Sequence, residues 1–298
     1  MTKTMPCPAC QLSASDTPLA LATCGDIGLA FLRCPDCTAL RLPPQQQQRH
    51  NVESDLPGPV SPLMTLLFRW RLHWLCRHHP PLRNREAAIL DVGCGDGQFL
   101  AFLHSQGYHH LHGVEPETAR RDNARSRGLA VAPSLDDLPL DRFDIICLWH
   151  VLEHVEQPLR LLHQLRERLT PQGALLISIP NHGGWQTRLF GLYSSFLDYG
   201  RHLWYWDRHL AETLPNQWPV RLLPGRNLEY ELFGWVDSLA GFLSRSVNLV
   251  HRHLKKNRST PVARLGVLLL AAGLLPLALL LTLLAPPSRG ATLTFTIE

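Results

Sequence analysis

The sequence predicts an α/β fold, a largely parallel sheet with helices on both faces. Three observations lead there. Over residues 63–225, short apolar runs alternate with amphipathic ones, the pattern of strands buried on two faces and separated by helices. A glycine-rich turn, Asp91-Val-Gly93-Cys94-Gly95-Asp-Gly97, stands where one such strand meets a helix. An acid, Glu115, closes the next apolar run.

The elements follow in order. Residues 87–92 form a short apolar strand that runs into the glycines, and residues 98–106 have helical spacing. Residues 111–115 are a second strand, and 118–127 a polar helix. Residues 144–148 and 174–179 are apolar strands. Between them, 159–169 is an amphipathic helix stopped by Pro171 and Gly173. The chain closes on Thr292–Ile297, which alternates as a strand does.

Composition narrows the function classes. With 298 residues, the chain can bury a large core and smaller units beside it. At 45% apolar and 18% charged it is not a disordered polar chain. A net charge of +4 calls for no nucleic acid, and none is expected as a partner. The opening MTKTMPCPAC lacks an apolar stretch, so no secretory signal is expected and the cysteines are read as reduced. Four of the eight form Cys7-Pro-Ala-Cys10 and Cys34-Pro-Asp-Cys37. Four thiolates in two such turns suit a closed, structural zinc site, a zinc ribbon over residues 1–42. The Pro/Gln-rich residues 43–62 read as a linker.

The glycine turn has a ligand-binding character. Glycines let a backbone approach a ligand closely, and a helix N-terminus offers unpaired N–H groups. The spacing G-x-G-x-G is one residue shorter than the dinucleotide fingerprint, which speaks against a nicotinamide oxidoreductase. Asp91 suits an ammonium group, and Glu115 can accept both hydroxyls of a ribose. The alternative is an ordinary tight turn with a surface acid.

Residues 87–180 resemble the core of the class I S-adenosylmethionine (SAM)-dependent methyltransferases, through LDVGCGDG, GVEP, FDIICLWHVLEHV and LTPQGALLISIPN. Within that class the chain looks like the zinc-ribbon subgroup similar to the ubiquinone-biosynthesis O-methyltransferases. The resemblance implies a Rossmann-like seven-stranded sheet and SAM as cofactor. It places Asp91, Gly93, Cys94, Gly95 and Gly97 along the methionine part of SAM, and Glu115 with Pro116 at the ribose. Ser134 and Leu135 fall near adenine, and Leu148, Trp149 and His150 flank the cofactor. The methyltransferase core would span 63–225.

His150, Glu153 and His154 are spaced i, i+3, i+4, so on a helix they would share a face and could hold a metal. The alternative is that Glu153 and His154 orient the cofactor loop. His154 is also a candidate base. Residues 181–207 hold eight aromatics, Trp185, Phe190, Tyr193, Phe196, Tyr199, Trp204, Tyr205 and Trp206. They read as a lid over a hydrophobic acceptor or as a small core, with His202 as a second candidate base and Arg201 as an anion contact.

Residues 226–289 read as membrane-associating helices. Residues 235–254 have amphipathic spacing, a basic run follows at 251–258, and residues 265–287 carry no charge. If residues 290–298 return to the sheet, a single span is impossible. Pro276 then suggests two short helices, 263–274 and 277–284, as a hydrophobic hairpin inserted before the last strand. The function expected is methyl transfer, most simply O-methylation, to a hydrophobic or lipid-linked acceptor by a cytoplasmic protein on an anionic leaflet. A non-catalytic SAM-binding adaptor acting through its zinc ribbon, with a protein partner the sequence does not name, is the alternative.

Overall fold

In the computed structural model of the chain, the described residues are 17–24, 27–34, 39–41, 62–198, 201–210, 214, 218–223, 228–245, 249–250, 261–286 and 290–298. The first described elements are three short strands, β1 (Thr17–Cys24), β2 (Ile27–Arg33) and β3 (Leu40–Arg41). Helix α1 (Pro62–His78) leads into β4 (Ile89–Val92), α2 (Gln98–Ser105), β5 (Leu111–Val114), α3 (Thr118–Ser126) and β6 (Ala130–Ala132). Next come β7 (Phe143–Trp149), α4 (Pro158–Arg166), β8 (Leu169–Pro180) and α5 (Trp185–Phe190). The last elements are β9 (Trp204–Tyr205), β10 (Val220–Leu222), α6 (Leu228–Ser244), α7 (Pro261–Leu284) and β11 (Thr292–Ile297).

Seven strands form one sheet in the order β6-β5-β4-β7-β8-β11-β10. The five from β6 to β8 are parallel, while β11 runs antiparallel to both β8 and β10. Along β7, Ile145 and Cys147 face one core, and Ile146 and Leu148 the other. This alternation, with few polar interruptions, is why the strand reads as a continuous apolar run. One core is covered by α1 and α2, the other by α4. The winding starts at β4, runs out to β6, then returns to β7. Ligands of such sheets bind where that reversal leaves a crevice, at the carboxyl ends of the central strands.

Strand β8 starts five residues before the expected 174. It takes in Pro171 and Gly173, where a Cβ on Gly173 would meet the Phe143 carbonyl at 2.9 Å. Proline is tolerated at that end because Pro171 lies outside the run paired to β7 between Ile145 and Trp149.

The end of the aromatic stretch is core. Trp204, Tyr205 and Trp206 are buried, and the Trp204 and Trp206 rings stack at 6.0 Å beside Leu210, Leu214 and Trp218. The Trp204 Nε1–H donates to the Val155 carbonyl at 2.8 Å. Strand β9 pairs with β3, so the N-terminal strands and this stretch share one four-stranded sheet. The cysteine-bearing segment is therefore docked on the domain. Of its expected zinc ligands, Cys34 is buried at the edge of that core, whereas Cys7, Cys10 and Cys37 lie outside the described residues. So do Tyr199, most of the linker and the basic run at 251–258.

The expected hairpin is replaced by one continuous helix, α7, of 24 residues with Pro276 inside it. Proline removes one backbone bond and crowds the residue four before it. Here that residue is Ala272, followed by Gly273, and one lost bond is outweighed by the contacts α7 makes along its length.

Candidate active site

The turn after β4 is the first half of the site. Gly93, Gly95 and Gly97 all have positive φ (72°, 58° and 74°), conformations that side chains resist. At Gly93 a Cβ would lie 2.6 Å from Val151 Cγ2, so the turn also has no room for a side chain there. The turn is braced by Glu115 at the end of β5. Its Oε2 accepts from the Gly95 N–H at 2.9 Å and its Oε1 from the Glu117 N–H at 2.9 Å. Glu115 is buried, and Arg121 caps its backbone carbonyl at 2.9 Å.

Asp91 ends β4 on the side facing α1 and α2 and is buried. Burial pushes its carboxyl up to about 7, with the Glu115 charge adding to the rise and the Arg71 guanidinium opposing it. Arg71, from α1, is itself buried, its guanidinium 4.7 Å from the Trp149 ring centroid and 5.0 Å from that of Phe99. These groups surround a cavity of about 250 Å³ whose wall also includes Gly93, Cys94, Gly95 and, from α6, Tyr230. Burial and the neighbouring carboxylates push the Cys94 thiol well up, which leaves it an inert wall residue.

Five of the residues expected at the cofactor therefore line one cavity: Asp91, Gly93, Cys94, Gly95 and Trp149. Glu115 braces it from behind, and Gly97 starts α2 at its edge. Pro116 is exposed beyond Glu115, and Ser134 and Leu135 follow β6 without entering the wall. Leu148 is fully buried in the core and does not line the cavity. Sequence reasoning missed Arg71, Phe68, Phe99 and Tyr230. One signal was available. Arg71 sits among Phe68, Leu72 and Leu75 on the face that α1 buries, where an arginine needs a reason to be.

The second half of the site follows β7. The expected helical face of His150, Glu153 and His154 does not form. His150 adopts a left-handed backbone (φ 55°), and Leu152–His154 is a single 3-10 turn. Glu153 is instead fully buried between two imidazoles, its Oε1 3.2 Å from His150 Nδ1 and 3.9 Å from His202 Nε2. Burial alone would raise the Glu153 carboxyl. The bond from His150 and the fields of the neighbouring histidines hold it below its usual range. Burial pushes His202 down to about 4 against the pull of Glu153, so its imidazole is neutral at pH 7. His154 Nδ1 lies 3.0 Å from the Arg201 carbonyl, an acceptor, so that nitrogen carries the proton. Arg201 itself pairs with Asp198 at 3.0 Å. Among the described residues, donor atoms of Glu153, His154 and His202 lie within 4.8 Å of one another, close enough to share a cation. The His150 ring is 3.9 Å from that of Tyr230, which joins this group to the cavity wall.

A Rossmann-like sheet with one reversed strand near its edge, a glycine turn on the first central strand and an acid on the second define a nucleoside-binding class of enzyme. The comparison with known families makes this specific: residues 68–215 match the methyltransferase domain model. That stretch is a class I SAM-dependent methyltransferase domain. Among known proteins, the chain is similar to a tRNA U34 carboxymethyltransferase of Shewanella woodyi. The two are 32% identical over 122 residues, which are 36% of this chain and 36% of that protein. The chain thus spans little more than a third of the length of that relative. Among solved structures it is similar to a SAM-dependent methyltransferase, a possible histamine N-methyltransferase, of Thermotoga maritima. Identity there is 16%, coverage 78% of this chain and 91% of that one, and the TM-score 0.44. It is also similar to a coclaurine N-methyltransferase bound to N-methylheliamine and SAH, at 12% identity, 85% and 78% coverage and a TM-score of 0.49.

Proposed function

We propose that the chain transfers a methyl group from SAM to a hydrophobic or lipid-linked acceptor, most simply to an oxygen, at the surface of an anionic leaflet. The observation that carries the cofactor half is the pairing of a buried carboxyl, Asp91, with a buried guanidinium, Arg71, across one cavity backed by Glu115. Those charges complement an amino acid that carries both an ammonium and a carboxylate, attached to a ribose. Bound SAM supplies an electrophilic methyl group.

The chain's own residues do the rest. Asp91 receives the ammonium and gives up its proton on binding. Arg71 faces the carboxylate, screened from water by Phe68, Phe99 and Trp149. Glu115 holds the glycine turn through one lone pair of each oxygen and keeps the others for the ribose hydroxyls. Ser134 and Leu135 border the adenine side. Such a site accelerates transfer mainly by positioning. The acceptor's proton falls to the imidazoles gathered at Glu153, with His202 and His154 as the bases and Glu153 steadying the imidazolium. Cys7, Cys10, Cys34 and Cys37 hold a structural zinc in this reading, and the ribbon's partner, if it has one, is a protein.

The acceptor class rests on the apolar surface of the C-terminal helices. A second reading, an RNA acceptor, is favoured by the similarity to an enzyme named for tRNA U34. Both are tested by incubating the full chain with methyl-labelled SAM and a whole-cell extract, then separating phases. Label in the organic phase is the expected result. Label in RNA moves the assignment to the second reading, and SAM binding without label anywhere leaves a cofactor-binding adaptor.

A further inference from the structure

The longest helix among the described residues is covered along one stripe only. Along α7, Val267, Leu270, Ala271, Leu274, Ala278, Leu281 and Ala285 form one stripe that packs on α6 and α5. Apart from the buried Thr282, the other described residues from Leu265 to Leu284 are mostly exposed and are apolar too. Leu265, Leu269, Leu280 and Leu283 are 58%, 65%, 51% and 75% exposed, and no charge occurs between Leu265 and Pro287. By length and composition Leu265–Leu284 is able to cross a membrane. A helix apolar on all sides needs cover on all sides.

Chain on both sides of this helix is tied to the same neighbour. Just after its C-terminal end, the Ala291 N–H is bonded by the Glu231 carboxylate in the first turns of α6, and the chain then enters the sheet as β11. On the other side, the Val250 N–H, eleven residues before the helix starts, donates to Asp237 Oδ1, midway along α6, at 2.8 Å, and Val250 shares a buried cluster with Val267 in the first turns of α7. Helix α6 in turn is locked to the domain. Gly234 is so close to Phe196 that a Cβ would lie 2.0 Å from its ring, and Ser238 Oγ accepts from the Ser195 N–H at 3.0 Å. Crossing a hydrocarbon layer about 30 Å thick would strip the stripe from Val267 to Ala285 off α6, which is locked to the domain.

We infer that α7 lies flat in one leaflet, parallel to the surface, with α6 covering its inner stripe and acyl chains its outer face. The occupant is an anionic bilayer. Helix α7 is preceded by His251-Arg-His-Leu-Lys-Lys-Asn-Arg258, which carries four permanent positive charges and no acid. A second protein copy would be expected to meet a polar rim, and among the described residues the exposed side chains from Leu265 to Leu284 are all apolar. The same geometry fixes the cavity against the membrane. Tyr230 lines it from α6, only five residues, or about 8 Å along the axis, before Trp235 reaches the α7 cluster. An acceptor dissolved in the leaflet would then reach the site without crossing water. This deepens the membrane part of the proposed function and rests on it.

The test uses the full chain with vesicles of phosphatidylcholine, with or without phosphatidylglycerol, and nitroxides on cysteines introduced at Leu268, Leu275 and Leu283, the signal of the parent protein being subtracted. The expected result is sedimentation with the anionic vesicles. Binding should weaken about fivefold for each charge removed in Lys255→Gln and Lys256→Gln. All three labels should sit at one shallow depth, about 5–10 Å below the headgroups. A label at Leu275 near the bilayer centre, with the others shallow, means a span and overturns the in-plane assignment. No vesicle binding, with a dimer in solution that Leu268→Glu dissociates, assigns the face to a second copy and overturns it as well. SAM binding, measured on the same samples in detergent, separates the failures: if it persists while the three labels report a span, only the in-plane inference falls, and if it persists without vesicle binding, the membrane part of the proposed function falls with it while the cofactor part stands.

Discussion

The turn after β4 and the helices α5–α7 are both rich in unusual sequence, yet they carry information differently. In the turn, seven consecutive residues, braced by one acid eighteen positions on, build one side of the cavity, because their contacts are local or pass between adjacent strands. In the helical region, eight aromatics and a 24-residue apolar helix say only that something apolar must be covered. What covers each is decided by distant chain: β3 and the sheet core for Trp204 to Trp206, α6 for one stripe of α7. Polar motifs at strand ends specify a ligand, whereas apolar abundance specifies burial without naming the burier.

This contrast can be broken by mutation. The largest effect is expected at Trp206, a core residue in a stretch that reads as a lid. Trp206→Ala should cost roughly 3–5 kcal/mol of stability in chemical denaturation. A stable variant with an altered acceptor KM would restore the lid. Next comes Asp91→Asn, which removes the carboxylate but keeps the volume. SAM affinity by calorimetry should fall about a hundredfold, roughly what losing one partner of a buried charge pair costs. An unchanged Kd would show that the cavity is not the cofactor site.

Asp91 also sets a pH dependence. Its free-state pKa is raised to about 7, and an ammonium ligand favours the ionised form, so ligand binding must displace a proton below that pH. SAM affinity should therefore weaken by up to tenfold for each pH unit between 7 and 5.5, and Asp91→Asn should flatten the profile. The stability contribution has the opposite sense. The raised pKa favours the folded state below the ordinary carboxyl value of 3.8, and that advantage is lost as pH rises through 7. A smaller effect, about tenfold on Kd, is expected for Arg71→Lys, which keeps the charge but gives up the planar group that stacks on Trp149 and Phe99. Metal analysis of Cys7→Ser, expected to lose one bound zinc per chain, reads the N-terminal segment independently of the cavity.

How much was legible follows the same division. The central strands and the helices between them were visible because strands buried on both faces leave unbroken apolar runs. The strand Thr292–Ile297 was visible as an alternating run, and it sits between β8 and β10. The i, i+3, i+4 spacing of His150, Glu153 and His154 leaves open whether they share a helical face or orient the loop, since periodicity says nothing of the left-handed residue at position 150. His202 reaches Glu153 from 49 residues away, and no local pattern announces that. Pro276 was read as a break because proline lacks an N–H. The helix continues because its packed stripe persists on both sides of that residue.

The sequence by itself determined the sheet, the glycine turn and the acids that face the cofactor, because each depends on residues a few positions apart or on a pattern with the period of its own element. Only the tertiary structure decided that Arg71 and Tyr230 close the cavity, that Trp204 to Trp206 are core, and that α6 covers one stripe of α7. These depend on which distant surfaces meet. A side chain's hydrophobicity states how strongly it seeks cover but not from which part of the chain the cover comes.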